Sequence, residues 1–257
     1  MKSPSEVDIP RNPAYGSGVF RRRILLTRKS DTQILCALED CSHAMQLTLI
    51  VLDNSIAQIH GEVLRAPVDI CSSAPMHLAA FAGLELHDDS RVYAKHTPPN
   101  SHCTHLFDMT MLSISFALSG KAQRRYDVNV ADEKDGVLDA TIYLDDTLVH
   151  HWLIRDAHII SPSSLKGIAL YKGFFGHMHA HFVASELDCA KALQKGIMVA
   201  GARRWDMSAI AGSAADTFGP GVNICHSYSE QRIHTGRRSH NPSRDFSDTP
   251  EQLLTFK

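Results

Sequence analysis

Four consecutive segments, VFRRRILLTRK, TQILCALED, AMQLTLIVLD and IAQIHGEVLRAP, mix apolar and polar residues at a period close to two. Short breakers at Lys29–Thr32, Cys41–His43 and Asn54–Ser55 separate them. Strand side chains point alternately to opposite faces, so this pattern describes strands with a buried side. Asp53-Asn54-Ser55 suits a tight turn, and links this short join antiparallel neighbours. The chain is therefore expected to open with an antiparallel meander, ended by Pro67.

The pattern then changes. In SAPMHLAAFAGLEL, Ser73 suits a cap, Pro75 the first turn and Gly83 the stop of a short helix. A polar loop ends in Thr97-Pro98-Pro99-Asn100, and HCTHLFDMTML starts a second helix running to about Ser119 and stopped by Gly120. Leu106, Met109, Leu112, Ile114 and Phe116 are too dense for a surface stripe, so this helix is expected to be buried around most of its girth. Strands recur in QRRYDVNVAD, GVLDATIYLDD, LVHHWLIRD and AHIIS, with Lys134-Asp135-Gly136 as a hairpin turn. Helices follow over 173–182 and in SELDCAKALQKGIMVAGARRWD, which opens on the capping box Ser185-Glu186-Leu187-Asp188.

The second half thus echoes the first, down to the pairs Arg22-Arg23 and Arg124-Arg125. The fold class expected is α+β: two antiparallel β-meander-plus-helix halves, 19–120 and 121–210, packed as one unit and open to reading as an internal duplication. Residues 1–18 read as an extended arm and 211–257 as a loop-rich segment completing a single domain over 19–257.

Composition narrows the function classes. A net charge of -2 gives no broad attraction to nucleic acid or acidic lipid. No apolar run approaches the roughly 18 residues of a membrane span, and the first residues carry no apolar signal-peptide region. A cytoplasmic chain with reduced thiols is expected. The 6 cysteines form no CxxC pair, and there is no Walker loop, dinucleotide fingerprint or nucleophile elbow.

Sixteen histidines make any single one weak as a signal. Four stretches carry more. In CTHLFDM, His105 and Asp108 are three apart on one helix face, where an aspartate can orient and strengthen a histidine base; the competing reading is a polar helix start. In EDCSH, Asp40 and His43 span a strand turn, with a simple Asx-turn as the alternative. NICHSY sets Cys225, His226 and Tyr228 in a loop. HMHAH places His177, His179 and His181 at metal spacing on a strand, although the surrounding pattern favours a helix. The pairs Arg203-Arg204 and Arg237-Arg238 read as solvated faces.

The stretches LEDCSH, LRAPVDIC, CTHLFDM, RRYDV, AGARRWDM, CHSY and SRDFSDTPEQLL, in this order and spacing, resemble the bacterial family called domain of unknown function 2889, from about Arg21 to Leu254. SYSEQRI departs from that family, which has a Gln-Pro-Glu run after the tyrosine, and the family has no fixed histidines at HMHAH. The resemblance implies a bacterial catabolic protein, associated with aromatic or steroid breakdown, without a nucleotide cofactor. It singles out His43, His105 and His226, with Asp40, Asp108 and Tyr228 as their polar neighbours.

The function expected is a cofactor-independent lyase or isomerase acting on a small hydrophobic, aromatic (phenolic) intermediate, as in retro-aldol release of a carbonyl fragment. His105 oriented by Asp108 would move the proton, with His43 or His226 as the complementary acid. Tyr228 or Arg65 would hold the oxyanion, with Asp40 beside them. One alternative is a zinc or iron enzyme using Cys103, His105, Cys225 and His226; another is a non-enzymatic binding or scaffold module. No nucleic acid or membrane partner is expected, and a homodimer is the assembly considered.

Overall fold

The structure is a computed structural model describing residues 9–240 and 243–256; residues 1–8 of the expected arm lie outside the described residues. The first meander comprises β1 (Val19–Arg28), β2 (Gln33–Asp40), β3 (Ala44–Leu52) and β4 (Ser55–Arg65). The second comprises β5 (Gln123–Ala131), β6 (Leu138–Leu144), β7 (Thr147–Arg155) and β8 (His158–Ser161). The β1–β5 pair joins them into one eight-stranded antiparallel sheet of order β4-β3-β2-β1-β5-β6-β7-β8. Each strand of the second half begins a little over a hundred residues after its counterpart, so the halves repeat one topology.

The turns carry the backbone that tight hairpins need. Asp53 and Asn54 (φ 47° and 59°) and Asp135 and Gly136 (φ 52° and 75°) both have positive φ, the twist that matches the flanking strands. On the inner sheet face Phe20, Ile24 and Leu26 of β1 are buried with Tyr126, Val128 and Val130 of β5.

The helices are α1 (Arg91–His96), α2 (Thr104–Ser119), α3 (Phe174–His181) and α4 (Ala184–Ala200). α2 lies on β2 and β3, α4 on β5, β6 and β7, and the two touch. α2 buries Leu106, Phe107, Met109, Leu112, Ile114 and Phe116, and Gly120 ends it at φ 67°. One hydrophobic core runs through both halves. No helix among the described residues is long and apolar enough to cross a membrane.

Four local expectations are corrected. The helix expected after Ser73 is a 3₁₀ segment, Asp69–Phe81, begun earlier; Pro75 is therefore interior and supplies no N–H. The hydroxyls of Ser72 and Ser73 donate back to the carbonyls of Asp69 and Ile70. The capping box at Ser185 does not form, because Asp188 accepts a hydrogen bond from Ser115 of α2 at 2.7 Å. Arg203 and Arg238 are buried rather than solvated: Arg203 pairs with Asp132 at 2.9 Å and Asp245 at 3.1 Å. The arm is docked where it is described, with Ile9 packed against Met207 and Ile210.

The C-terminal segment meets the outer face of the sheet. Arg21 Nε donates to the Ser247 carbonyl, and Leu254 N donates to Glu39. The inner face of β1 and β2 is left to α2, α4 and a cavity between them.

Candidate functional site: an arginine, an aspartate and two histidines beneath an apolar cavity

Alternation along β1 puts Arg22 on the core face between Phe20 and Ile24. Its register partner on β2 is Asp40. A buried guanidinium needs a counter-charge. Arg22 Nε and Nη2 both donate to Asp40 Oδ2, at 2.9 and 2.6 Å, with both side chains almost fully enclosed.

Asp40 is the hub. Its Oδ1 accepts the backbone N–H groups of Ser42 and His43 at 2.7 and 2.8 Å, which makes the Asx-turn between β2 and β3. It also accepts from His43 Nδ1 at 3.1 Å. EDCSH thus forms the Asx-turn, and the same carboxylate also bonds the His43 ring. Burial opposes the charge of Asp40, but Arg22 and His43 outweigh it and hold the carboxyl well below the usual carboxylate range. Donation from Nδ1 leaves His43 Nε2 bare, with no hydrogen-bond partner among the described residues.

His105, in the first turn of α2, closes the cluster. Its ring lies 4.0 Å from that of His43 between centroids, and its Nε2 accepts from Arg22 Nη2 at 3.2 Å. Accepting at Nε2 puts the ring hydrogen on Nδ1. Burial, then the charges of His43 and Arg22, hold His105 well below the usual histidine range, so the ring is neutral at pH 7.

Above Arg22 and His105 opens a cavity of about 360 Å³. Ile24, Leu38, Phe107, Met111, Leu112 and Ala192 are among its apolar walls. Asp108, Asp188, Lys191 and Lys195 line it as well. Lys191 donates to Ser90, and burial lowers its pKa. The size suits a one- or two-ring compound.

Several expected partners lie elsewhere. Asp108 does not orient His105; it pairs with Lys195 at 3.3 Å, because its position on α2 faces α4. Arg65 braces the turn from outside the cavity, donating to Glu39 and to the carbonyls of Asp40 and Cys41. Tyr228 is buried and committed, accepting from Arg238 at 2.6 Å and donating to the Phe218 carbonyl. His226 joins His77 and Ser73 instead of His105. HMHAH is helical, as its surroundings suggest, and His181 donates to the His177 carbonyl.

Cys103, His105, Cys225 and His226 do not form one metal set. Among the described residues only Asp40, His43 and His105 hold ligand atoms within 4.8 Å of one another. A cation there would meet Arg22, whose Nη2 already occupies Asp40 Oδ2 and His105 Nε2. Cys103 caps α2, and burial pushes its thiol up to about 12.

Sequence reasoning missed Arg22. Its signal was present: in VFRRRILL the middle arginine shares a face with Phe20, Ile24 and Leu26. Comparisons with family models, curated proteins and solved structures find no match for this chain.

Proposed function

We propose that the chain is a cofactor-independent lyase or isomerase that moves a proton on a hydrophobic, aromatic-sized carbonyl or phenol compound bound in the cavity under α2 and α4. The observation that carries this reading is the junction of Arg22, Asp40, His43 and His105, of which Arg22 and His105 line the cavity. The motifs behind the likeness to domain of unknown function 2889, LEDCSH and CTHLFDM, supply three of the four residues.

The hydrogen bonds assign the roles. Arg22 Nη1 and His105 Nδ1–H have no partner among the described residues, so both can donate to a substrate oxygen. A cation and a neutral imidazole N–H stabilise the enolate or phenolate that forms as a proton leaves carbon. In this reading His43, whose Nδ1 donates to Asp40, takes that proton at Nε2 and returns it to product. The base is thus His43, and the oxyanion is held by Arg22 and His105. A double-bond shift follows from this sequence; in carbon–carbon cleavage of a β-hydroxy ketone His43 instead takes the hydroxyl proton, the carbon–carbon bond breaks to give the same held enolate, and the proton returns to the enolate carbon.

The test is deuterium wash-in. Phenolic ketones incubated with the protein in D2O are expected to gain deuterium next to the carbonyl, followed by NMR. His43→Gln is expected to lower the rate by about 10² or more. No exchange across such a series, or exchange unchanged in His43→Gln, would overturn the reading.

A further inference from the structure

A second histidine cluster lies on the other side of the loop that leads into α2. His102 precedes the helix, His226 lies in a one-turn 3₁₀ segment (His226–Tyr228), and His77 belongs to the 3₁₀ segment Asp69–Phe81. The backbone N–H of His226 donates to the His102 carbonyl at 2.8 Å, tying the two loops together. The ring of His77 is 4.7 Å from that of His226 and 6.2 Å from that of His102.

Each ring has one buried nitrogen without a partner: His77 Nε2, His102 Nδ1 and His226 Nδ1. His102 and His226 are each only 2% exposed. Their other nitrogens are engaged. His102 Nε2 lies 2.7 Å from Thr97 Oγ1, and His226 Nε2 lies 2.9 Å from Ser73 Oγ. The Ser73 hydroxyl donates to the Ile70 carbonyl, so it accepts from His226. His226 Nε2 therefore carries the hydrogen and its Nδ1 a bare lone pair. His102 takes the same form when Thr97 accepts. Phe81 and Phe107 flank His102 at 5.1 and 5.7 Å and offer it no hydrogen bond.

A buried lone pair facing apolar rings is unfavourable unless something satisfies it. Here two histidines hold one nitrogen in a hydrogen bond to a fixed oxygen and keep the other unpartnered, in rings that lie near a third histidine. That is how proteins orient imidazoles for a metal: the outer nitrogen donates to a fixed acceptor, which sets the tautomer and the direction of the ligating lone pair.

We propose that His77, His102 and His226 form a binding site for a divalent metal ion of the zinc class, with Ser73 and Thr97 as the oxygens that position two of the ligands. Three neutral imidazoles suit zinc at about 2.0–2.1 Å and leave a fourth position for water or a ligand. In this structure the three nitrogens do not share a ligating span. Binding would close them through His77, whose ring is partly buried and whose Nδ1 no described residue bonds. The site is separate from Arg22 and its cavity, and it does not rest on the proton-transfer reading.

The experiment uses the full chain stripped with a chelator and titrated with Co2+ and then Zn2+. One equivalent of Co2+ with the visible bands of a four-coordinate site, displaced by Zn2+, is the expected result. His102→Ala and His226→Gln should each abolish stoichiometric binding, while His105→Ala should retain it. Ser73→Ala sits at an exposed position and keeps all three ligands; it should weaken Zn2+ affinity by about 10-fold or more. That variant keeps the test open if a ligand variant fails to fold. No binding by the unmodified chain, binding that survives His226→Gln in a folded protein, or binding lost only in His105→Ala would each overturn the proposal.

Discussion

Arg22 and Asp40 stand opposite each other on adjacent strands, and the guanidinium gives one carboxylate oxygen two N–H bonds, from Nε at 2.9 Å and Nη2 at 2.6 Å. The same carboxylate closes the turn that positions His43, and the same guanidinium holds His105. One cross-strand pair thus orients both histidines.

Breaking that pair should be costly. Arg22→Met leaves a buried carboxylate uncompensated and should destabilise the protein by about 3–5 kcal/mol in urea unfolding. Arg22→Met with Asp40→Asn should recover much of this loss, because the amide carbonyl keeps the turn while the charge is gone. A single variant as stable as the unmodified chain would show that Asp40 does not depend on Arg22.

The contacts of α2 separate two residues that share one face of the helix. His105→Ala should lower turnover by about 10² or more, whereas Asp108→Asn should leave it within a few-fold, because Asp108 pairs with Lys195. The comparison is made on whichever phenolic ketone exchanges in D2O. An equal loss in both variants would restore Asp108 as the partner of His105.

Acid should destabilise the metal-free protein before Asp40 protonates. Burial holds His102 near 4, assisted by His77, and burial with Arg232 and the neighbouring histidines does the same for His226. Below the ordinary histidine value of 6.5 the unfolded chain takes up protons that the folded chain refuses, so stability should fall between about pH 6.5 and about pH 4. Asp40 stays charged through this window because its own pKa is depressed, and its contribution is lost only at lower pH. Urea midpoints across the range measure this, and His226→Gln should flatten the slope.

Gly196 lets α4 approach the sheet. A Cβ there would lie 2.6 Å from Val128 Cγ1 and 3.6 Å from Phe20 Cε1. Gly196→Ala should therefore lower stability by about 1–3 kcal/mol through overpacking, against a helix-propensity gain of about 1 kcal/mol. Thermal unfolding of this variant alone and with Val128→Ala tests it, with the double variant expected to regain part of the loss.

Local chemistry determined much of this protein. A period of two gave β1 to β8 their buried faces, and Asp-Asn and Asp-Gly pairs supplied turns whose positive φ suits them. The density of apolar residues from Leu106 to Phe116 and the glycine after Ser119 made α2 a buried helix with a defined end. These features need only neighbours a few residues away, so they are written in the chain order. The two halves were visible as an echo for the same reason.

What the order could not carry was which polar group meets which. His105 and Asp108 share a helix face, yet the tertiary structure spends Asp108 on Lys195 and hands His105 to Arg22, 83 positions away. His226 and Tyr228 sit in one short motif, but one bonds Ser73 and the other Arg238. A buried charge or imidazole is satisfied by whatever the fold brings within about 3 Å, and that depends on register and on how α2 and α4 cross the sheet. The alternation put Arg22 indoors; only the pairing of β1 with β2 decided that Asp40 would meet it there, because strand register is a long-range property set by the whole buried face.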